Sequence, residues 1–525
     1  NIKVRDAYVD GDAPIFSNAK EVFVIFPKVQ VGSVLHYGYE KRVHTPNFPG
    51  QFSWHDYQLD WLPVQQAQIT VAYDPALDMR FAVRGDYQEK PSGQGESAPS
   101  GYLVRRFGYT HTQTTTYEPG GVDYSDTAPM LVVSNWADYS AVGLAYDRRA
   151  KPRARPNSEI ATLAQRLTKD ATNERERVQL LQAWVAQNIR YVGTYVGTGG
   201  FVPNPAPLIF ERHYGDCKDH AALLEAMLAA VGIDSSPALI NLGRAYQLLP
   251  LPSSAPFNHV ITYIPSLDLF VDSTNRYART GTLPLGDMGK PVVIARTGEL
   301  KTTPKPSAEH DTETVVSDWV MQPNGDMTAT MRGSKTGWLE VASREYYADQ
   351  DEIDQARWSR KYLAEYQEVG SGEAHSTGAD DWATAWRINA KTDLRGVVNL
   401  PEPSAFVVPV GIAPGILRRF ADQPYNAQRS RPWRCTSRSI RELSTIQLPE
   451  GVEVQYLPKG VQIEEKQWRY KSRYALKGKR LTVERELVLS FDKPWCSGEL
   501  AKAWSEFMWR VRRDVRGQVF VEETN

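Results

Sequence analysis

Three side chains in this chain, Cys217, His259 and Asp272, have types and surroundings that suit covalent chemistry. Cys217 sits in "RHYGDCKDH" (212–220), which runs directly into "AALLEAMLAAVGI". Three roles compete for it. Unpaired cysteine is commonly a buried filler, but Gly215, Asp216, Lys218, Asp219 and His220 make a poor setting for mere packing. A metal site from His213, Cys217 and His220 has tolerable spacing. However, the helix begins only near Cys217, and no second Cys/His cluster completes a tetrahedral set. The remaining role is a nucleophile. A thiol at a helix N-terminus is favoured as thiolate by the helix dipole and unpaired N–H groups. Gly215 permits a tight entry turn, and the backbone N–H of Cys217 suits an oxyanion.

A thiolate nucleophile needs a base in reach and a group that orients the base. "FNHVITYIPSLDLFVDST" (257–274) offers both. His259 opens one apolar strand and Asp272 closes the next, with "IPSLDL" as the hairpin turn between them. If the loop is Pro265 to Asp268, Ile264 faces Leu269 and Asp272 faces Ile261. Asp272 is then a diagonal same-face neighbour of His259. A two-residue loop puts the pair directly opposite. Both registers share one parity, and only a one-residue slip separates the pair. Taken singly, His259 is better explained as an edge histidine and Asp272 as a turn residue. The set of three is what points to chemistry. Tyr191 and Asn258 are further oxyanion candidates. Asp216 and Lys218 are candidates to line the cleft beside Cys217, as is Asp219, although for Lys218 and Asp219 solvating the first helical turn is the simpler explanation.

The elements that must hold these residues follow from patterning. Residues 1–150 read as an all-β domain, with "KEVFVIF", "SVLHYGYEKRV", "AQITVAY", "MRFAV" and "GYLVRRFGYTH" as strands. The basic, proline-bearing "RRAKPRARP" (148–156) reads as a linker. Residues 151–300 form an α+β core. "NSEIATLAQRLTKDATNERERVQLLQAWVAQNIRYV" gives two helices, the second starting at Thr172 with Val178, Leu181, Trp184 and Val185 on one face. A Gly/Pro loop (193–207), the Cys217 helix ended by Gly232, and the runs "SPALINL", "HVITYI" and "LFVDST" complete it. Residues 301–525 read as β-rich and divisible at 400. A hairpin turns at Asn324-Gly325, one or two helices lie within 340–368, and "MWRVRRDVR" (508–516) reads as a strand with a solvated face. The fold class is multidomain α+β, with a central core between two mostly antiparallel, sandwich-type β domains.

With 61 Lys and Arg against 62 Asp and Glu, the net charge of -1 gives no electrostatic case for nucleic acid or an anionic membrane. No apolar run reaches the length of a transmembrane helix. Cys435 and Cys496 either form one disulfide or stay as two buried thiols; a bridge favours an oxidising compartment.

"YGDCKDHAALLEAMLAAVGI", "NHVITYI" and "LFVDST" together resemble the transglutaminase-like superfamily of cysteine enzymes. More narrowly, they resemble its bacterial branch with a Gly-Asp-Cys-Lys-Asp motif between two β domains of unknown function. "NIRYVGTYVGTGGFVPNPA" fits the segment ahead of that cysteine, and "FPKVQVGSVLHYGYEKR" resembles part of the N-terminal domain, which the resemblance leads one to expect truncated at its start. The resemblance implies Cys217 as nucleophile, His259 as general base and acid, and Asp272 as its orienter. It also implies a papain-like core without cofactor or metal, and no acidic calcium cluster is evident. Many members carry an aromatic residue after the histidine, where this chain has Val260. The expected activity is acyl transfer through a thioester, most simply hydrolysis of an amide in a peptide, protein or glycopeptide, in a periplasmic or secreted setting. Transamidation to an amine and a non-catalytic scaffold are the alternatives.

Overall fold

A computed structural model describes residues 6–8, 20–22, 24–38, 40, 43–44, 46–91, 100–193, 200–348, 355–412 and 416–523. The chain divides into two compact units. The first comprises 1–117, 123–276 and 290–303; the second comprises 118–122, 277–289 and 304–525.

In the first unit, two three-stranded antiparallel sheets face each other. Met130–Ser134 is central in one and Leu103–His111 in the other. Phe107 and Tyr109 of the second meet Leu131 and Val133 of the first, while Met130 and Val132, on the other face of the first sheet, are buried in a cluster with Leu249. Residues 33–38, expected as a strand, are exposed and irregular, and part of that run lies outside the described residues. The expected β stretch also ends in a helix, α1 (Tyr139–Ala150), capped by Asp138, whose Oδ1 accepts from Ala141 N at 2.7 Å. Val142, Ala145 and Tyr146 form its buried stripe. Gly143 lets α1 approach the core sheet closely; a Cβ there would fall 2.5 Å from Val293.

Among its described residues the core has four more helices: α2 (Ser158–Thr168), α3 (Glu174–Asn188), α4 (Ala206–Arg212) and α5 (Cys217–Ala230). Asn157 caps α2 and Asn173 caps α3, one residue past the expected start. Five antiparallel strands follow: β1 (Ser236–Ile240), β2 (His259–Ile264), β3 (Leu269–Val271), β4 (Pro291–Ile294) and β5 (Leu300–Thr302), in the order β3-β2-β1-β4-β5. Helix α5 is buried almost throughout. Leu223, Leu224, Met227 and Leu228 share a core with Val178, Leu181 and Val185 of α3 and with Ile264 and Val271. Gly232, at φ +75°, ends α5, and Ile233 N returns to Leu228 O at 3.0 Å.

The second unit is built on one eight-stranded sheet that runs across residue 400. Thr312–Met321 pairs in parallel with Arg438–Gln447, and every other pairing in this sheet is antiparallel. The Asn324-Gly325 turn links Met321 to Met327 as expected. Helices Trp338–Ala348 and Gln355–Glu365 occupy the mid-region, with 349–354 outside the described residues. The 508–516 run, expected as a strand, lies in a helix, Ala501–Val515. Trp504, Phe507, Met508, Val511 and Val515 recur at helical spacing and are buried against the sheet, while Trp509 points to solvent. Cys435 and Cys496 are disulfide-bonded, with Cα atoms 5.7 Å apart.

Candidate active site

Cys217 is the first residue of α5 and is half-buried. Asp216 is its N-cap. The Asp216 side chain accepts from Asp219 N, and the Asp219 side chain accepts from Asp216 N, which makes a reciprocal capping box. Lys218 donates to Asp216 Oδ2, with both groups buried. Asp216 and Lys218, expected at the cleft, are therefore built into the helix start. An uncapped N-terminus and an unpaired buried ammonium would both be destabilising there. Asp219 is equally buried. It accepts from Asn204 N at 2.7 Å and Asn204 Nδ2 at 3.0 Å, which ties the Gly/Pro loop to α5. Burial, and then the charge of Asp216, push the Asp219 carboxyl above its usual range. A Cβ on Gly215 would lie 2.5 Å from that of Asp219, so the turn into Cys217 needs a glycine.

The β2–β3 hairpin has the four-residue loop. Ile264 pairs with Leu269 and Thr262 with Val271, so the register carried one step on sets Asp272 opposite Ile261. His259 Nε2 meets Asp272 Oδ2 at 3.2 Å, and the two residues are only 3% and 2% exposed. Asp272 Oδ1 accepts from Thr274 N at 2.8 Å and Thr274 Oγ1 at 2.7 Å. Burial alone would raise this carboxyl. The His259 charge and these hydrogen bonds outweigh it and hold the group well below the usual carboxylate range. Gln182 of α3 donates to the Asp272 carbonyl at 3.4 Å.

Two contacts tie the start of α5 to β2 and to the segment just after β3. Ala221, one turn beyond Cys217, packs in one cluster with Val260, the neighbour of His259, and with Tyr146 of α1. His220 is fully buried and donates from Nδ1 to Ser273 O at 2.8 Å, directly after Asp272. Burial lowers the affinity of His220 for a proton and outweighs the Ser273 hydrogen bond and the charges of Asp272 and Asp216, which raise it. His220 is thus a neutral strut between the cysteine helix and the aspartate. In the sequence His220 reads only as a metal ligand. Its spacing of three from Cys217, which places it on the same helical side, is the signal that pointed to it.

The other candidates separate. Tyr191 is exposed, opposite Gly215 in a short parallel pairing, with its ring 6.0 Å from that of His220. Asn258 uses its amide to clamp Leu242, Oδ1 accepting from Leu242 N at 2.7 Å and Nδ2 donating to Leu242 O at 3.2 Å. His213 is exposed and lies against Phe210 and Trp184 rather than with His220.

Residues 161–241 match the Transglutaminase-like superfamily. Residues 1–113 match a Domain of Unknown Function, DUF3857, and residues 407–518 match another, DUF3858. The superfamily match holds Cys217 and stops short of His259. No curated protein matches the chain. A crystal structure from Parabacteroides distasonis, described as a "putative protease", is similar with a TM-score of 0.58 at 15% identity, over 91% of this chain and 76% of that one. A "putative cysteine protease" from Cytophaga hutchinsonii is 15% identical over 42% of this chain and 79% of that one, with a TM-score of 0.19. The first likeness bears on the fold alone, and the second is too weak to bear on it. Among the described residues, no helix is long and apolar enough to cross a membrane. The chain carries a transglutaminase-like core between a DUF3857 domain and a DUF3858 domain.

Proposed function

We propose that this protein is a cysteine-dependent acyl-transfer enzyme that hydrolyses an amide bond in a peptide, protein or glycopeptide. The observation that carries the reading is the buried His259–Asp272 pair at 3.2 Å, on a strand whose head packs beside the N-terminus of the Cys217 helix. With Asp272 on Nε2, proton exchange with sulfur and substrate falls to Nδ1. The Cys217 thiolate attacks the carbonyl carbon, a C–S bond forms, and the carbonyl π pair moves to oxygen. The backbone N–H of Cys217 donates to that oxyanion, with Tyr191 at the mouth as the side-chain candidate. Collapse breaks the C–N bond as the His259 imidazolium gives its proton to the leaving nitrogen. Water then attacks the thioester while His259 takes its proton, and the C–S bond breaks to restore the thiolate–imidazolium pair. Hydrolysis is favoured over transamidation because water needs no second binding site. The disulfide in the second unit favours a periplasmic or extracellular setting.

Labelling with iodoacetamide at mildly acidic pH tests the reading. Cys217 should alkylate on the order of 10²-fold faster than a free thiol in the denatured protein, and His259→Ala should remove that advantage. A native rate no faster than the denatured one contradicts it.

A further inference from the structure

The second unit holds a pocket of about 260 Å³ far in sequence from Cys217. Its walls are aromatic. Phe420, Tyr425 and Trp504 meet edge to face at 5.7 to 6.3 Å, and Trp433 and Phe491 continue the lining. Three arginines reach it: Arg429, Arg434 and Arg438. Arg429 is satisfied, donating to Pro119 O at 2.9 Å and pairing with Glu118. The other two make no ion pair among the described residues. Arg438 is only 9% exposed, and its Nε is buried with no hydrogen-bond partner. Its guanidinium lies 4.6 Å from the Trp338 ring and 5.3 Å from the Phe420 ring. Burial pushes the Arg438 group down to about 10, against the opposing charges of Glu313, Tyr425 and Asp311, and Arg434 adds a smaller push in the same direction as burial.

A buried guanidinium with an idle donor, beside a second unpaired cation, is destabilising unless an anion completes it. Arginine recognises a carboxylate through paired N–H donors. Ring faces and edges around the same space suit a flat or bulky apolar group. An inorganic anion would leave those walls unfilled. The volume is below that of a drug-sized site, so the fitting group is about one residue in size. A free ammonium would be repelled by the two arginines. We propose that this pocket binds an α-carboxylate carried on an N-acylated aromatic or large apolar residue, with Arg438 and Arg434 holding the carboxylate. Two sources share that chemistry: the C-terminal residue of a peptide and an N-acyl amino acid. The site stands independently of the role of Cys217.

Isothermal titration calorimetry on the full chain tests it with N-acetyl-phenylalanine, its neutral amide, a pentapeptide ending in phenylalanine, and inorganic phosphate. The acid or the peptide should bind at least tenfold more tightly than the amide and than phosphate. If the peptide is the tighter of the two, a chain terminus is the source; if N-acetyl-phenylalanine is, the free acid is. Arg438→Met should weaken binding at least tenfold. Arg434→Gln, at a half-buried position, should weaken it severalfold with the melting curve unchanged. Equal binding of acid and amide, tighter binding of phosphate, no binding by the wild type, or an unaltered affinity in a folded Arg434→Gln variant would each overturn the proposal.

Discussion

Asp272 has both carboxylate oxygens committed, one to His259 and one to Thr274. That explains how a charge can stay buried: two donors from Thr274 and the His259 imidazole replace its water. Its folded-state carboxyl titrates below the unfolded one, so its contribution to stability is complete at neutral pH and is lost as the pH falls through the folded-state value. The melting-temperature gap between wild type and Asp272→Asn should therefore be widest near pH 7 and narrow steadily below the ordinary carboxylate range. A gap independent of pH would contradict the pairing. The same variant should slow Cys217 alkylation by on the order of 10²-fold, because His259 loses its orientation. The parity of His259 and Asp272 was legible because strand side chains alternate with a period of two. The burial of Asp216 and Lys218 was not. Two charged residues flanking a nucleophile read as cleft-lining until the capping box and their mutual ion pair account for both.

At the scale of elements, the entry to α5 is the most constrained turn around the site. Gly215→Ala drives a methyl group into Asp219, which also anchors Asn204. It should lower both the melting temperature and the alkylation rate of Cys217, as peptide mapping of the labelled thiol would report. Asp216→Ala removes the cap and strands Lys218 in a buried site, which should cost about 3–5 kcal/mol in denaturant titration. The double variant Asp216→Ala/Lys218→Met should recover part of that loss, since it leaves no uncompensated charge. Helices bounded by clear caps and an amphipathic stripe, such as α3, were readable from sequence. α1 and the helix Ala501–Val515 were not, because each holds a short alternating run that fits a strand until its longer helical stripe is followed to the end.

Over the whole molecule, the β-rich character of residues 301–525 was legible, but the continuity of its main sheet was not. The joining pair, Thr312–Met321 with Arg438–Gln447, is parallel and remote in sequence, so no local turn announces it. The Cys435–Cys496 bond spans 61 residues of this unit and pins a wall of the arginine pocket, where Cys435 itself lines the space. Of the three cysteines, two are bonded, so a thiol titration of the unfolded, unreduced protein should find one free thiol and, after reduction, three. Reduction should destabilise the second unit by about 2–4 kcal/mol. The pairing fits an oxidising compartment, where Cys217 alone remains to be kept reduced.

The central claim is that Cys217 carries the acyl group. Acid quenching during reaction with p-nitrophenyl acetate, followed by peptide mass mapping, tests it most directly. An acetyl thioester should form on the Cys217 peptide within the initial burst and decay with turnover, be absent in Cys217→Ala and form slowly in His259→Ala. A burst of equal size in Cys217→Ala, or acetylation only at surface lysines, would contradict it.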